Sequence, residues 1–324
     1  MDRHITAPIN KETARSLHAG DYVYITGTMY TARDAAHKRM YETLLDGKEL
    51  PVDVSGQFIY YLGPTPAREG QVIGSAGPTT SSRMDKYTPT MLDQGLKGMI
   101  GKGKRSSEVI ESIKQNGAVY FAAVGGAGAL LSKCIKEAEV IAYDDLGTEA
   151  IRKLRVENFP VIVVIDNQGN NLYETAVENF KKGYNCSQSV VAAFADLYGI
   201  DEATALRMSA SFGGGIGRMR LTCGTACGMF MLAGLETGST DPSDRLAKGA
   251  NYAAVQELAA RFKAINGSLT CAELLGLKKD APTPSMPEAR TPDYYKRRPC
   301  LKMVETAATI FAEFLASRRQ TPDK

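Results

Sequence analysis

Histidine, closely paired cysteines and long apolar runs are all scarce in this sequence. It has three histidines, none of them after His37, and its six cysteines include no CxxC pair, which argues against a Cys/His zinc finger. The longest apolar run, residues 229–235, is far short of the roughly 20 residues that a membrane span needs. The polar N-terminus lacks the apolar segment of a signal peptide. We therefore expect a cytoplasmic protein without membrane partners, whose cysteines start out reduced.

The chain also lacks a strong excess of charge of either sign. Its 39 Lys and Arg residues and 36 Asp and Glu residues leave a net charge of +3, and the basic residues are scattered. No stripe of alternating aromatic and basic residues is visible, so no nucleic-acid partner is expected. A length of 324 residues exceeds one typical domain. Because the strand pattern stops near Glu174, we expect two domains, residues 1–174 and 175–324.

The first half alternates strand and helix patterns, which predicts an α/β domain. Residues 21–28 alternate like a strand, and residues 32–45 have the apolar spacing of a helix. Residues 58–62 and 71–76 are predicted to be strands, and the second of these should lead into a polar loop. A helix is expected over residues 148–154.

That polar loop, Gly77–Asp85, reads GPTTSSRMD and holds four consecutive hydroxyls, one arginine and one aspartate. Loops of small polar residues usually only turn the chain. Two other basic segments, residues 31–39 and 101–105, favour a binding site instead. Together the three segments supply Arg33, Arg83 and Lys102, which suit a small dianion because a guanidinium matches a carboxylate bidentately.

Two glycine-rich stretches imitate nucleotide-binding motifs without completing them. Gly98–Arg105 fits the first part of a phosphate loop, but Arg105 stands where Ser or Thr should bind magnesium. Gly125-Gly126-Ala127-Gly128 follows a predicted strand and could offer backbone N–H groups to an anion, but Leu131 breaks the dinucleotide fingerprint. Close packing of a helix on a strand is the better explanation of the glycines in this second stretch.

Six segments resemble, in order, the β component of class I iron–sulfur hydro-lyases, a family that covers fumarase and tartrate dehydratase β subunits. The resemblance runs from about Ile5 to Tyr173, over half of the chain. The segments are ITGTMYTARDAAHKR, YYLGPTPA, GPTTSSRMD, MIGKGKR, AVYFAAVGGAGALL and LGTEAIRKLRVENFPVIVVIDNQGNNLY.

The resemblance implies a swivelling β/β/α domain and reversible addition of water to a small dicarboxylate such as fumarate, or its counterpart in the tartrate reaction. It implies that Arg33, Arg83 and Lys102 bind the substrate carboxylates and that Thr79 transfers a proton, with Thr80 as a near-equal alternative. A [4Fe–4S] cluster would belong to a separate α subunit, so a hetero-oligomer is expected.

Three neighbouring residues have expected roles of their own. Asp34 and Asp85 should orient the arginines beside them. His37 is either an acid or base of the site or a histidine on the surface of a helix near Asp34, and the residues alone leave both readings open.

The second half is predicted to be all helical, over residues 185–198, 201–211, 223–236, 243–265, 270–275 and 299–318. Four cysteines follow Asn, Thr or Pro, which favour helix starts, so all four should lie at helix N-termini. These are Cys186, Cys223, Cys271 and Cys300, with Cys227 one turn after Cys223. The positive end of a helix dipole should lower the pKa of such thiols.

These residues also resemble the helical family named for its C–GCAxxG–C–C pattern, which is regarded as redox-active or metal-binding. The segments are FKKGYNCSQSVVAAFADLYG, SFGGGIGRMRLTCGTACG, AINGSLTCAELLG and RRPCLKMVETAATIF. The chain departs from the pattern, since it lacks the literal GCA and adds Cys227, which leaves the stoichiometry open.

The five thiols fit an iron–sulfur cluster, another thiolate metal site or a reversible disulfide relay, against the alternative of small buried apolar groups. A second hypothesis for the whole chain follows from them. Under this hypothesis, the chain is a redox or electron-transfer protein whose hydratase-like domain serves for docking or sensing.

Overall fold

The structure is a computed structural model that describes residues 2–123, 128–278 and 281–318. The described residues form two compact units, one of residues 2–171 together with the end of the last helix from Glu313 onward, and one of residues Leu172–Ala312. Of the predicted glycine segment, Gly125, Gly126 and Ala127 lie outside the described residues. No helix in the described ranges is both long enough and apolar enough to cross a membrane.

Seven strands of the described residues form one sheet in the first unit. They are β1 (Asp2–Ala7), β2 (Tyr22–Thr31), β3 (Phe58–Tyr60), β4 (Gly98–Gly101), β5 (Val119–Ala122), β6 (Ile135–Ala142) and β7 (Ile151–Ile165). Strands β1 to β5 lie parallel in sequence order, and β7 runs antiparallel to β2, β5 and β6. Because β7 pairs with both β2 and β5, strands β2, β3, β4, β5 and β7 close into a ring.

The helices of this unit begin and end at residues that local chemistry favours. They are α1 (Lys11–Ser16), α2 (Asp34–Leu45), α3 (Thr88–Asp93), α4 (Ser107–Asn116) and α5 (Gly128–Cys134). The Ser106 side chain accepts a hydrogen bond from the backbone N–H of Val109 and so caps α4. Gly117 ends the same helix in the left-handed conformation, with φ of 58°.

Aromatic side chains from neighbouring strands fill the core of the first unit. The ring of Phe58 packs on Phe121 with centroids 5.6 Å apart, and Tyr60 packs on Phe159 at 5.2 Å. Strand β4 passes close to this cluster, since a Cβ on Gly98 would lie 2.1 Å from an atom of the Phe58 ring. Only glycine therefore fits at position 98 without moving the core.

The prediction of a strand over residues 71–76 is wrong. This segment consists of bends, and Val72 is half exposed. It is held by single contacts with another loop, because Thr65 and Ser75 exchange hydrogen bonds of 3.2 and 2.8 Å. Gly74 lies so close to the carbonyl of Thr65 that a side chain there would collide. The segment is thus held by a close backbone approach and two hydrogen bonds, and not by the regular hydrogen bonds of a β-ladder.

The prediction of a helix over residues 148–154 is also wrong. A 3₁₀ turn, Asp144–Glu149, precedes the 15-residue strand β7, which takes up the rest of the segment. Leu154 and Val156 are buried, whereas Lys153, Arg155 and Glu157 are exposed, a period of two. Strands β2 and β6 pair with this stretch from both sides, and that pairing outweighs local helix propensity.

In the second unit, described elements from Leu172 onward are helical. They are α6 (Leu172–Lys181), α7 (Cys186–Phe194), α8 (Glu202–Ser209), α9 (Gly224–Thr237), α10 (Arg245–Asn266), α11 (Cys271–Leu274), α12 (Pro292–Arg297) and α13 (Cys300–Arg318), with short 3₁₀ turns at Ala195–Tyr198 and Ala210–Phe212. Asn185 and Gln188 form a capping box at the start of α7. The six predicted helices are confirmed, whereas α6 and α12 were not predicted.

Gly98→Ala tests the tight packing of strand β4. The added methyl group would press on the Phe58 ring, so the first unit should lose roughly 1–3 kcal/mol of unfolding free energy. Urea unfolding of the full chain, followed by circular dichroism, measures this. As a control, Gly249→Ala in α10 has no atom within 4 Å of the new Cβ and should be neutral or stabilising by about 0.5–1 kcal/mol. Equal stabilities for the two variants would contradict this packing.

Candidate functional site

The three predicted cationic residues follow neighbouring parallel strands or lie in the loop beside them. Arg33 follows β2 and is the N-cap residue of α2, and Lys102 follows β4. Gly63 follows β3, and a Cβ there would lie 2.6 Å from an Nη atom of Arg33, so the arginine side chain crosses over it. The carboxyl ends of parallel strands are where α/β proteins commonly bind ligands.

The loop Gly77–Asp85 is fixed between the ends of β3 and β4 by backbone hydrogen bonds. The N–H of Thr79 donates to the carbonyl of Tyr61 at 2.7 Å, and the N–H of Ser81 donates to the carbonyl of Lys102 at 2.9 Å. Thr80 and Lys102 form a parallel β-bridge. The main chain thus holds Thr79 and Thr80 directly beside Lys102.

Asp34 brings the two arginines together. Its Oδ1 forms an ion pair with Arg83 Nε at 2.7 Å, and its Oδ2 lies 3.6 Å from Arg33 Nη2. Arg33 Nη2 also lies 3.3 Å from Glu149 Oε1. Because half of the Arg83 side chain is exposed, the ion pair between Arg83 and Asp34 is worth at most about 1 kcal/mol. A substrate carboxylate could therefore compete with Asp34 for Arg83.

Three functional groups of the polar loop and of the neighbouring Lys102 have no partner among the described residues. Within the described part of the chain, the Lys102 ammonium forms no ion pair and the hydroxyls of Thr79 and Thr80 form no hydrogen bond. Thr79 and Lys102 are half-buried, whereas Thr80 is exposed. An ammonium and two hydroxyls are thus available to a ligand at the loop that carries Arg83.

Arg105 is the residue that sequence reasoning missed. Its side chain is fully buried and its Nε donates to Asp85 Oδ1 at 2.7 Å. Its Nη atoms donate to the Tyr61 hydroxyl at 3.0 Å and to Thr88 Oγ1 at 2.5 Å, and its guanidinium lies 5.1 Å from the centre of the Tyr120 ring. No local signal could have identified its burial, because a basic run such as KGKR is typical of solvated surface.

This arrangement corrects one expectation about the carboxylates. Asp34 does pair with the arginines beside it, but Asp85 pairs with Arg105 rather than with Arg83. The second oxygen of Asp85 accepts the N–H of Ser106 at 2.7 Å. Asp85 therefore anchors the end of the loop in the core and does not aim Arg83.

His37 is buried and is not the surface histidine that one reading expected. Its Nδ1 lies 3.0 Å from the carbonyl of Arg33, and its ring meets Tyr61 edge to face at 5.3 Å. Burial, assisted by the charge of Arg105, lowers its pKa from 6.5 to about 4 against the opposing hydrogen bond to Arg33. A neutral ring therefore supports the backbone at Arg33.

The cysteines of the second unit lie at helix N-termini, as predicted. Cys186, Cys271 and Cys300 begin α7, α11 and α13, and Cys223 is the N-cap residue of α9. These four thiols line one cavity of about 260 Å³, whereas Cys227, one turn along α9, is not among the described residues that line it.

Glycines allow the cysteine-bearing segments to approach one another. A Cβ on Gly224 would lie 2.5 Å from Cys186 Sγ, and a Cβ on Gly215 would lie 2.6 Å from the Cβ of Cys271. Gly215 also has a φ of 75°, in the left-handed region that favours glycine. The cavity therefore depends on backbones that touch the neighbouring cysteines directly.

The prediction that helix ends lower the thiol pKa is wrong for Cys186, Cys271 and Cys300. Burial, followed by the nearby Cys223, raises the pKa of Cys186 to about 12 and of Cys227 and Cys300 to about 11. The same two causes raise the pKa of Cys271 against the charge of Arg220. Removal from water disfavours a thiolate more than the helix ends favour it.

The thiols as they lie do not make a metal coordination sphere. Over the described ranges, no group of three or more His, Cys, Asp or Glu side chains is close enough together to hold one metal ion. In the first unit, Cys134 is half-buried against the core, and burial raises its pKa. It is the sole cysteine before residue 172.

Two family models match the chain. Residues 2–176 match the model described as "Fumarase C-terminus". Residues 184–314 match the model described as "Putative redox-active protein (C_GCAxxG_C_C)". The first match covers more than half of the chain, and the two follow one another along the sequence.

Curated relatives match the first half of the chain. "Fumarate hydratase class I, anaerobic" of Escherichia coli (strain K12) is 39% identical over 166 residues, which are 51% of this chain and 30% of the relative. "Fumarate hydratase 2" of Leishmania major is 39% identical over 156 residues, 48% of this chain and 28% of the relative. "Putative L(+)-tartrate dehydratase subunit beta" of Methanocaldococcus jannaschii is 37% identical over 172 residues, 51% of this chain and 88% of the relative.

The chain thus spans less than a third of the two hydratases but most of the tartrate dehydratase subunit. By their names, all three relatives are hydro-lyases or parts of one.

Mild acid should destabilise the protein through His37. Because its pKa is about 4 when folded and 6.5 when exposed, the unfolded chain binds the proton more readily between these values, so stability falls as pH drops through that range. The loss should reach about 3 kcal/mol, and His37→Asn should remove most of it. Urea unfolding at a series of pH values measures this. The exposed His18 provides the control, since His18→Asn should keep the loss; a His37→Asn protein with the same pH dependence as the parent would contradict the assignment.

Proposed function

Because the chain belongs to the Fumarase C-terminus family, we propose that it is the β component of a hydro-lyase that adds or removes water on a small dicarboxylate of the fumarate or tartrate type. The observation that carries this proposal is the meeting of Arg33 and Arg83 on Asp34, next to a loop whose hydroxyls lie beside Lys102. Two guanidinium groups and one ammonium match the charge of a dicarboxylate.

In this proposal the two arginines bind a substrate carboxylate and Asp34 holds them until the substrate arrives. The Asp34 pair is weak enough to be exchanged, whereas the buried Arg105–Asp85 pair keeps the loop in place during the exchange. Lys102 attracts the second carboxylate.

The proton is transferred by the hydroxyl of Thr79, which is half-buried and without a hydrogen bond within the described residues. A hydroxyl is a poor base in water, and nearby cations lower its pKa. Thr80 is the alternative, although it is exposed.

The [4Fe–4S] cluster of class I hydro-lyases does not fit the donors of the first unit. Such clusters are held by several cysteine thiolates, and Cys134 is the sole cysteine there. We therefore propose that a separate α subunit carries the cluster, so that the working enzyme is a hetero-oligomer. The first unit would act as a swivelling β/β/α domain that closes over the partner.

Arg83→Ala should abolish hydration activity of the complex between this chain and a class I hydro-lyase α subunit. The variant loses a group that contacts the substrate, so we expect at least a hundredfold drop in kcat/KM, about 3 kcal/mol or more of transition-state stabilisation. The loss of ultraviolet absorbance as fumarate is hydrated reports the rate, and other dicarboxylates are tested in the same way.

The exposed Arg68 supplies a matched control, since Arg68→Ala removes an arginine outside the site. It should leave the rate and the assembly of the complex unchanged. Near-normal turnover by the Arg83→Ala complex would remove the assignment of Arg83. Absence of activity in the unmodified complex, with every dicarboxylate tried, would remove the hydro-lyase proposal.

A redox function of the second unit is the other candidate, favoured by four cysteines that line one cavity. The chemistry we propose is thiol–disulfide exchange, in which two thiols give up two electrons and two protons to a small disulfide, which leaves as two thiols. Cys223 is the central thiol, because its proximity raises the pKa of Cys186, Cys227, Cys271 and Cys300. The hydratase-like unit would then serve for docking or sensing.

Exposure of the full chain to a small disulfide such as oxidised glutathione tests this function. Of the six thiols, two should become unreactive toward a thiol reagent and return on reduction. Cys223→Ser should prevent the change, whereas Cys134→Ser in the first unit should not affect it. Peptide mass spectrometry identifies the pair. If every thiol stays free under oxidising conditions, or if Cys223→Ser oxidises as the parent does, the exchange proposal fails.

A further inference from the structure

A buried guanidinium without a counter-ion faces the cysteine cavity. Arg220 is 9% exposed and lines that cavity. Its Nε has no hydrogen-bond partner, and its Nη1 makes only a 4.0 Å contact with Cys271 Sγ. In the described part of the chain no carboxylate lies within ion-pairing distance of it. A buried arginine is almost always paired, so this one requires an explanation.

The other charged groups around the cavity do not compensate Arg220. Arg298 pairs with the nearby Glu288, and Arg290 donates to the backbone carbonyls of Phe180 and Tyr184. Arg218 donates to the carbonyl of Pro284 at 2.8 Å. Among the described residues that line the cavity are four arginines and one glutamate, so this part of its wall carries an excess of positive charge.

The protein accepts two costs to hold Arg220 in this position. Arginine does not release its proton in a protein, so burial leaves the charge in place. The backbone is also unfavourable, because Arg218 and Arg220 have φ of 66° and 62°, in the left-handed region that side chains rarely adopt. A bound anion would offset the cost of burying the charge. The left-handed backbone would be the cost of directing the guanidinium at the cavity.

We propose that the cavity binds a small ligand through an oxyanion, a carboxylate or a phosphate, that sits on Arg220. The guanidinium fork matches either group with two parallel hydrogen bonds. The remainder of the ligand would lie against the cysteine thiols and against Leu274 and Leu275, which also line the cavity. About 260 Å³ is room for a small metabolite rather than for a polymer.

This inference is independent of the hydro-lyase proposal, since it concerns residues of the second unit alone. One other group of the protein could serve as a counter-ion, the Cys271 thiol if it were ionised. Burial and the nearby Cys223 raise the pKa of Cys271, whereas Arg220 lowers it. The experiment must therefore distinguish an external anion from an ionised Cys271 as the partner of Arg220.

The test uses the full chain carrying Arg83→Ala, so that anion binding at the arginines of the first unit does not contribute to the measured binding. Cys271 is alkylated with iodoacetamide, a neutral reagent, and its rate of modification is followed by peptide mass spectrometry. Fumarate, butyrate and inorganic phosphate are added separately up to tens of millimolar. At least one anion should slow alkylation of Cys271 tenfold or more and should give a saturable calorimetric isotherm.

Variants of Arg220 then assign the effect. Arg220→Gln should raise the Kd of the protecting anion at least tenfold and remove the protection, whereas Arg220→Lys should keep part of both. Arg245→Gln, on the exposed start of α10, should behave like the parent. Protection by carboxylates alone would identify an organic acid, and protection by phosphate alone a phosphate-bearing ligand.

Two results would overturn the inference. The first is that no carboxylate and no phosphate protects Cys271 in the chain with Arg220 intact, a measurement that does not depend on the folding of any Arg220 variant. The second is that Arg220→Gln leaves anion binding unchanged while it shifts the pH profile of Cys271 alkylation upward, which would make the thiolate the counter-ion.

Discussion

The buried ion pair between Arg105 and Asp85 is the interaction on which the geometry of the first unit depends. It joins the end of the polar loop to the end of β3 through Tyr61 and to the start of α3 through Thr88. Breaking such a pair costs roughly 3–5 kcal/mol, because the remaining charge stays buried. Everything that the loop presents to solvent, including Thr79 and Arg83, therefore rests on a contact that is itself out of reach of any substrate.

The arginines of the two candidate sites differ in exposure and in pairing. In the first unit, Arg33 and Arg83 share the carboxylate of Asp34 near the surface, where exchange for a substrate carboxylate is inexpensive. In the second unit, Arg220 is buried beside thiols and has no carboxylate within the described residues. In our proposals, the first site binds its ligand by exchange of ion-pair partners, whereas the second binds an anion on a buried guanidinium.

Part of both sites could be predicted because the signals are local. Asn185 and Thr270 precede cysteines at helix starts, and capping acts over a few residues, so the helix-terminal cysteines could be found without the fold. Helix α4 has the same kind of local signal, since Ser106 caps its start and Gly117 ends it. The helix predicted over residues 148–154 failed, since strands β2 and β6 decide that segment from a distance.

The sequence by itself determined which kinds of groups are present: three separated cationic segments, a loop of hydroxyls, and thiols at helix ends. Tertiary structure alone decided which of them meet and what charge they carry. It paired Asp85 with Arg105, buried His37, and enclosed the cysteines so that burial outweighs the helix dipole. The physical reason is that capping and turn preferences act between neighbours in sequence, whereas desolvation and ion pairing depend on segments that only folding brings together.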